Sequence, residues 1–141
     1  MIFFERLPEF ILNHYELVGI WAVFLIALLW DNGKRSGQSI TPSQATFMIN
    51  KDNALVLDIR EKKDFDAGHL ASAINIPYAK LATHLDELAP HKERPIILVC
   101  KTGQTVSVAG KMLREKGYNA IRLGGGMMEW RNQNLPVVRG K

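Results

Sequence analysis

Pro95-Ile-Ile-Leu-Val-Cys100-Lys-Thr-Gly-Gln-Thr105 is the stretch that decides the fold. Its first half is an unbroken apolar run, too short for a helix of ordinary length. A run of this kind suits a strand buried on both faces, as in a parallel sheet. A short turn bearing Gly103 follows, and then Val106 to Lys116 reads as a helix that stops at Gly117. In an open α/β sheet, ligands bind beyond the carboxyl ends of the strands. Cys100 stands at such an end. Backbone N–H groups and the positive end of the next helix point into the turn. Both favour a thiolate, which is the nucleophilic form of cysteine. Lys101 adds positive charge, and Gly103 lets the backbone curl tightly around the sulfur. The competing reading is a structural cysteine, because free Cys is among the most buried residue types.

Working outward, Ala54-Leu-Val-Leu-Asp58 is a second apolar run of strand type. Between the two runs, Leu81, Leu85 and Leu88 have helical spacing. Beyond the Cys100 turn come a short strand at Ala120–Leu123, the run Gly124-Gly-Gly126, and a last helix over about Met127–Asn132. Upstream, Thr41 is placed to cap a helix that begins at Pro42 and reaches about Asn50. Strands that alternate with helices predict an α/β fold with a mostly parallel sheet.

The N-terminus is different. Leu17-Val-Gly-Ile-Trp-Ala-Val-Phe-Leu-Ile-Ala-Leu-Leu-Trp30 has no charged residue. As a helix this run spans about 21 Å at 1.5 Å per residue. A bilayer core needs about 30 Å, and extension back to Phe10 supplies the length. Tyr15 and Trp30 bracket the run, as interfacial aromatics do. The expectation is a membrane anchor over residues 1–30, with one transmembrane helix over about 10–30. A cleaved signal peptide would want a basic start and a small-residue cleavage site, neither of which is present. A buried or surface-lying helix is the other alternative, but the apolar character runs all round rather than along one face. Lys34 and Arg35 follow the run and Arg6 alone precedes it, so the positive-inside rule puts the C-terminal part in the cytoplasm. Residues 31–39 are polar with two glycines and read as a flexible linker. The folded domain then covers residues 40–138.

Composition bounds the function. The chain has 141 residues, 47% hydrophobic and 23% charged, with a formal net charge of +4. Basic and acidic residues alternate through the soluble part, which reads as a solvated surface and not a nucleic-acid-binding face. The one cysteine excludes an internal disulfide. With no CxxC and four scattered histidines, no metal site and no cofactor are expected. The Gly124–Gly126 run lacks the spacing of a phosphate-binding loop, so tight packing near the Cys100 turn explains it better.

Cys-Lys-Thr-Gly-Gln-Thr at 100–105 resembles the active-site loop of rhodanese-like sulfurtransferases. Leu57-Asp-Ile-Arg60 through Phe65-Asp-Ala-Gly-His-Leu-Ala-Ser-Ala-Ile-Asn-Ile-Pro77 is similar to their N-terminal signature. Gly124-Gly-Gly-Met-Met-Glu-Trp130, with Asn134-Leu-Pro-Val137, is similar to their C-terminal one. The N-terminal anchor resembles that of small membrane-tethered bacterial members. The resemblance implies a five-stranded, mostly parallel sheet flanked by helices. It also implies a sulfurtransferase of the bacterial inner membrane. A donor such as thiosulfate or a persulfide gives its outer sulfur to Cys100, and a thiol or protein acceptor takes it. Residues Lys101, Thr102, Gly103, Gln104 and Thr105 then cradle the charged sulfur, and Arg60 attracts an anion or, with Asp58, forms a structural ion pair. Lysine at position 101, where the family often has arginine, keeps the charge but loses the planar fork that grips a sulfonate. His69 and Trp130 fall within the signature segments; for His69 a capping or packing role is favoured over proton transfer, and for Trp130 a place in the core over a substrate platform. Phosphatases of a related fold need Cys-x5-Arg, and here that position is Val106. The alternative from another class is a tethered protein-interaction module with little or no turnover.

Overall fold

The computed structural model describes residues 2–103 and 105–140, with the side chains of residues 3 and 31–36 excepted. The chain divides into a helical unit, residues 1–35, and a compact domain, residues 36–141.

The helical unit holds α1 (Ile2–Glu5), α2 (Leu7–Asn13) and α3 (Tyr15–Ser36). The expected single helix over about residues 10–30 is not continuous. The chain breaks at His14, whose backbone leaves helical geometry at φ −129° and ψ 36°. Leu7–Asn13 and Tyr15–Trp30 are set at 93° to each other. Asn13 and His14 are poor helix formers, and α2 buries no side chain that would hold the axis straight. Among the described residues, no single helix is long and apolar enough to cross a membrane, whereas this bent pair passes by length and composition. The linker also begins later than expected, because α3 continues to Ser36. Once a helix is nucleated each further residue adds a hydrogen bond. That offsets the roughly 1 kcal/mol that a glycine such as Gly33 costs inside a helix.

The domain contains β1 (Ser39–Ile40), α4 (Pro42–Lys51), β2 (Leu55–Asp58), α5 (Lys62–Ala67), β3 (Ile74–Asn75), α6 (Tyr78–Leu81), a 3₁₀ turn (Leu85–His91), β4 (Ile96–Val99), α7 (Val106–Glu115), β5 (Ala120–Leu123) and α8 (Gly126–Asn132). Thr41 caps α4 as the sequence requires. Its hydroxyl accepts from the Gln44 N–H at 3.2 Å, and the Gln44 side chain accepts from the Thr41 N–H at 2.9 Å. Two donors left open by the first helical turn are thereby satisfied. Thr41→Ala is expected to lower stability by about 1 kcal/mol, read as a shift of the urea midpoint at constant slope.

All five strands are parallel, in the order β1-β5-β4-β2-β3. Alternate residues of the central strands face opposite cores. Leu55, Leu57, Ile96 and Leu98 pack with Leu81, Leu88, Ala109 and Leu113 on one side. Val56, Ile97, Val99, Ile121 and Leu123 pack with Ala45, Leu70, Met127 and Trp130 on the other. The 3₁₀ turn replaces the second half of the helix expected over residues 81–88. Pro90 lies inside it, and proline lacks the N–H that an α-helical turn needs. Since β4 lies in the middle of the sheet, the loop after it opens between the ends of its neighbours.

Candidate active site at the end of the central strand

Cys100 immediately follows β4, and its side chain is 6% exposed, on the core face it shares with Leu98 and Val106. The chain then turns at Gly103, which has φ +89°. This left-handed conformation suits glycine because it has no Cβ. The turn brings the Gly103 N–H to 2.8 Å from the Cys100 Sγ. A backbone dipole therefore points at the sulfur, and α7 starts just beyond it at Val106. Lys101, Thr102 and Thr105 are exposed on the rim of the turn. Thr105 precedes α7 without a side-chain cap bond. Gln104 lies outside the described residues.

The glycine run explains how the turn is held. A Cβ on Gly103 would meet the Gly125 N at 3.4 Å and the Gly126 N at 3.6 Å, so the two loops lie backbone against backbone. From the start of α8, the Met127 N–H donates to the Cys100 carbonyl at 2.8 Å and the Met128 N–H to the Lys101 carbonyl at 3.1 Å. Gly126 has φ +59°, and a Cβ there would overlap the Cys100 carbonyl oxygen. Packing, not phosphate binding, accounts for the run.

Arg60 is brought beside this loop from the neighbouring strand. β2 pairs with β4 so that Asp58 stands opposite Val99, and the Ile59 N–H donates to the Val99 carbonyl. Asp58 is fully buried and Arg60 is 8% exposed. The Arg60 Nη2 is 2.6 Å from the Asp58 carboxylate, and its Nε donates to both carboxylate oxygens at 3.0 and 3.1 Å. The Nη2 also donates to the Gly68 carbonyl at 2.7 Å. A buried carboxylate and guanidinium must be paired in this way. Arg60 is thus a clamped member of an ion pair, of which one edge reaches a cavity of about 270 Å³ that Lys101 also lines. His69 serves packing. Its ring stacks on Phe65 with centroids 3.7 Å apart, its Nδ1 lies 2.7 Å from the Phe65 carbonyl, and its backbone bridges to Val138. Trp130 is buried, with its Nε1–H donated to the Pro136 carbonyl at 3.0 Å. Among the described residues, no group of three His, Cys, Asp or Glu side chains could hold a metal ion.

The sequence reading did not single out Met127, Met128 and Arg131, which line the same cavity as Lys101 and Arg60. The usable signal was the helical spacing of Met127 and Arg131, four residues apart just after the glycine run, which puts them on one face.

This arrangement has close counterparts. The chain is 34% identical over 142 residues to YibN of Escherichia coli K12, a protein described as uncharacterized. That match covers 97% of this chain and 99% of YibN, so it takes in the helical unit as well as the domain. The crystal structure of a rhodanese-related protein from Thermoplasma volcanium matches with a TM-score of 0.66 and 28% identity, covering 72% of this chain and 97% of that one. The polysulfide-sulfur transferase homodimer of Wolinella succinogenes shares the fold, with a TM-score of 0.63 and 23% identity, over 82% of this chain and 90% of its own. The model of the rhodanese-like domain matches residues 41–133. With the sheet, the glycine-braced cysteine turn and these matches together, the chain belongs to the rhodanese-like family, which includes sulfurtransferases.

Proposed function

We propose that the protein is a sulfurtransferase that carries sulfane sulfur on Cys100 at a membrane surface. The observation that carries this reading is the Gly103 N–H directed at Sγ from 2.8 Å. A structural cysteine needs no such donor, whereas a thiolate or persulfide gains from a fixed dipole that costs no reorganisation during reaction. Thiosulfate serves to write the first step. The Cys100 thiolate attacks the outer sulfur, a Sγ–S bond forms, the S–S bond of the donor breaks, and sulfite leaves with the electron pair. In the second step an acceptor thiolate attacks the outer sulfur of the persulfide. The Sγ–S bond breaks, the acceptor leaves as a persulfide, and the Cys100 thiolate returns. Each step is a displacement at sulfur and needs no further oxidant or reductant. Covalent catalysis of this kind splits one transfer into two easier steps. The direct test is the intact mass of the full-length protein after incubation with thiosulfate or polysulfide. The expected result is a gain of one sulfur, and an unchanged mass with both donors would refute the reading.

Membrane attachment is the second half of the proposal. It is supported by the uncharged run Leu17–Trp30 and by the exposure of its large side chains, with Trp21 at 69% and Phe24 at 63%. Exposed apolar surface of this extent marks an interaction site, and a membrane is one. Leu7–Asn13 and Tyr15–Trp30 together have the length and composition of a broken span. Lys34 and Arg35 then favour a cytoplasmic domain at a bacterial inner membrane. Protease added outside intact spheroplasts is expected to leave the domain from Ser39 onward uncut. Its digestion there would refute the orientation, and recovery of the chain in the soluble fraction after lysis would refute the attachment.

A further inference from the structure

The cavity beside the Cys100 turn has a charge pattern that the steps above do not use. Its lining holds three cations, Arg60, Lys101 and Arg131, and one acid, Asp64. Asp58 neutralises Arg60 at 2.6 Å. Among the described residues, Lys101 and Arg131 have neither a carboxylate nor a hydrogen-bond partner for their side chains. Two open cations therefore face one open carboxylate, an excess of one positive charge.

Both arginines approach Gly68. Arg60 donates to the Gly68 carbonyl at 2.7 Å. A Cβ built on Gly68 would lie 3.0 Å from the Arg131 Nη2. A concave wall strengthens the pull of that one excess charge on an anion. Position adds to this. α8 carries Met127, whose N–H binds the Cys100 carbonyl, and Arg131 one turn further along the same face. Lys101, which follows Cys100, lines the same cavity, so a molecule held by Arg131 lies beside the cysteine loop.

We propose that this cavity seats the carboxylate of a small anionic thiol that accepts the Cys100 sulfur, with Arg131 as the main gripping residue. The inference rests on the sulfurtransferase reading above. Size favours a small molecule, since about 270 Å³ falls below the roughly 300–1,000 Å³ of pockets for drug-sized ligands. The planar fork of arginine matches a carboxylate with two parallel hydrogen bonds. The excess of a single charge, with Asp64 in the lining, suits a monoanion better than a phosphate dianion. Met127 and Ala67 offer apolar wall to the carbon chain that joins carboxylate and thiol. During transfer the acceptor thiolate forms a bond to the outer sulfur, the Sγ–S bond breaks, and the carboxylate stays with Arg131.

The test uses full-length protein in detergent, loaded with one sulfur and freed of donor. Unloading is followed by intact mass with three acceptors of similar size: 3-mercaptopropionate, 2-mercaptoethanol and cysteamine. Rates are compared at equal thiolate concentration. The wild type is expected to unload to the carboxylate thiol roughly tenfold faster than to the neutral one, as one bidentate charged contact would give, and slowest to the cationic one. Arg131→Glu is expected to erase or reverse that order. Arg131→Lys is expected to keep part of the preference, because charge survives and the fork is lost. Arg131 is exposed, so these variants should fold, and an unchanged circular dichroism melt checks it. A loaded wild type that shows no preference among the three thiols, or a preference that Arg131→Glu leaves intact, overturns this inference and leaves the Cys100 persulfide standing. A wild type that never gains a sulfur overturns both.

Discussion

Cys100→Ser is expected to abolish sulfur loading while the domain folds as before. The side chain is nearly isosteric and sits in a site only 6% exposed. A hydroxyl can still accept from the Gly103 N–H, so the turn keeps its hydrogen bond. What disappears is the nucleophile. A serine hydroxyl is a far weaker nucleophile than a thiolate, and among the described residues no side-chain base is hydrogen-bonded to Cys100 to activate a replacement. The chain has one cysteine, so no other thiol can take over. Intact mass after thiosulfate or polysulfide should show no added sulfur, and sulfite release should fall to the level without protein. Thermal unfolding should remain cooperative, with a midpoint close to the wild type. Undiminished loading by this variant would remove Cys100 from the mechanism. A collapsed fold would mean that the sulfur is packing material.

Gly126→Ala is expected to cost both activity and stability, although residue 126 carries no chemistry. Its φ of +59° is a left-handed conformation, which costs a residue with a Cβ roughly 1–2 kcal/mol. The new methyl would also overlap the Cys100 carbonyl oxygen and come within 2.9 Å of the Lys101 carbonyl group. These are backbone atoms and cannot swing aside. The cysteine loop must move, or α8 must, and the hydrogen bonds from Met127 and Met128 stretch with it. A displacement of about 1 Å at a reacting group can cost on the order of 100-fold in rate, and that is the loss expected in sulfur loading. Gly140→Ala is the matched control. Gly140 also has positive φ, at +83°, but open space where its Cβ would point. It should show the conformational penalty and full loading. Gly126→Ala loading within about twofold of wild type would show that the brace is not needed.

The two central strands were legible in the sequence because Leu55–Asp58 and Ile96–Val99 are buried on both faces. The cap at Thr41 and the turn at Gly103 were legible for local reasons, since each is set by residues within three or four positions of itself. β1 and β3 were not. Each has two residues, too few to show a period, and each exists because a neighbouring strand offers hydrogen bonds. The break at His14 falls where Asn13, His14 and Glu16 interrupt the apolar run, a signal that the length needed to span a bilayer overrode. At the site, Cys100 and its loop could be read directly, and the pairing of Arg60 with Asp58 follows from two positions close in sequence. Arg131 could be read only as lying on one helix face with Met127. On its own it is one more surface charge, and only the fold sets it beside Gly68 and Lys101.

The order of the strands has a consequence for how the protein is made. Ser39 pairs with Arg122 and Ile40 with Leu123, so the first strand of the domain is held by the last. Contacts that join such distant positions close large loops, and domains dominated by them fold slowly. During synthesis the sheet cannot be completed until β5 has left the ribosome, and the cysteine loop is not braced until α8 follows. The N-terminal helices need only their own residues and are finished long before. The helical unit is therefore complete while the chain behind it is still open.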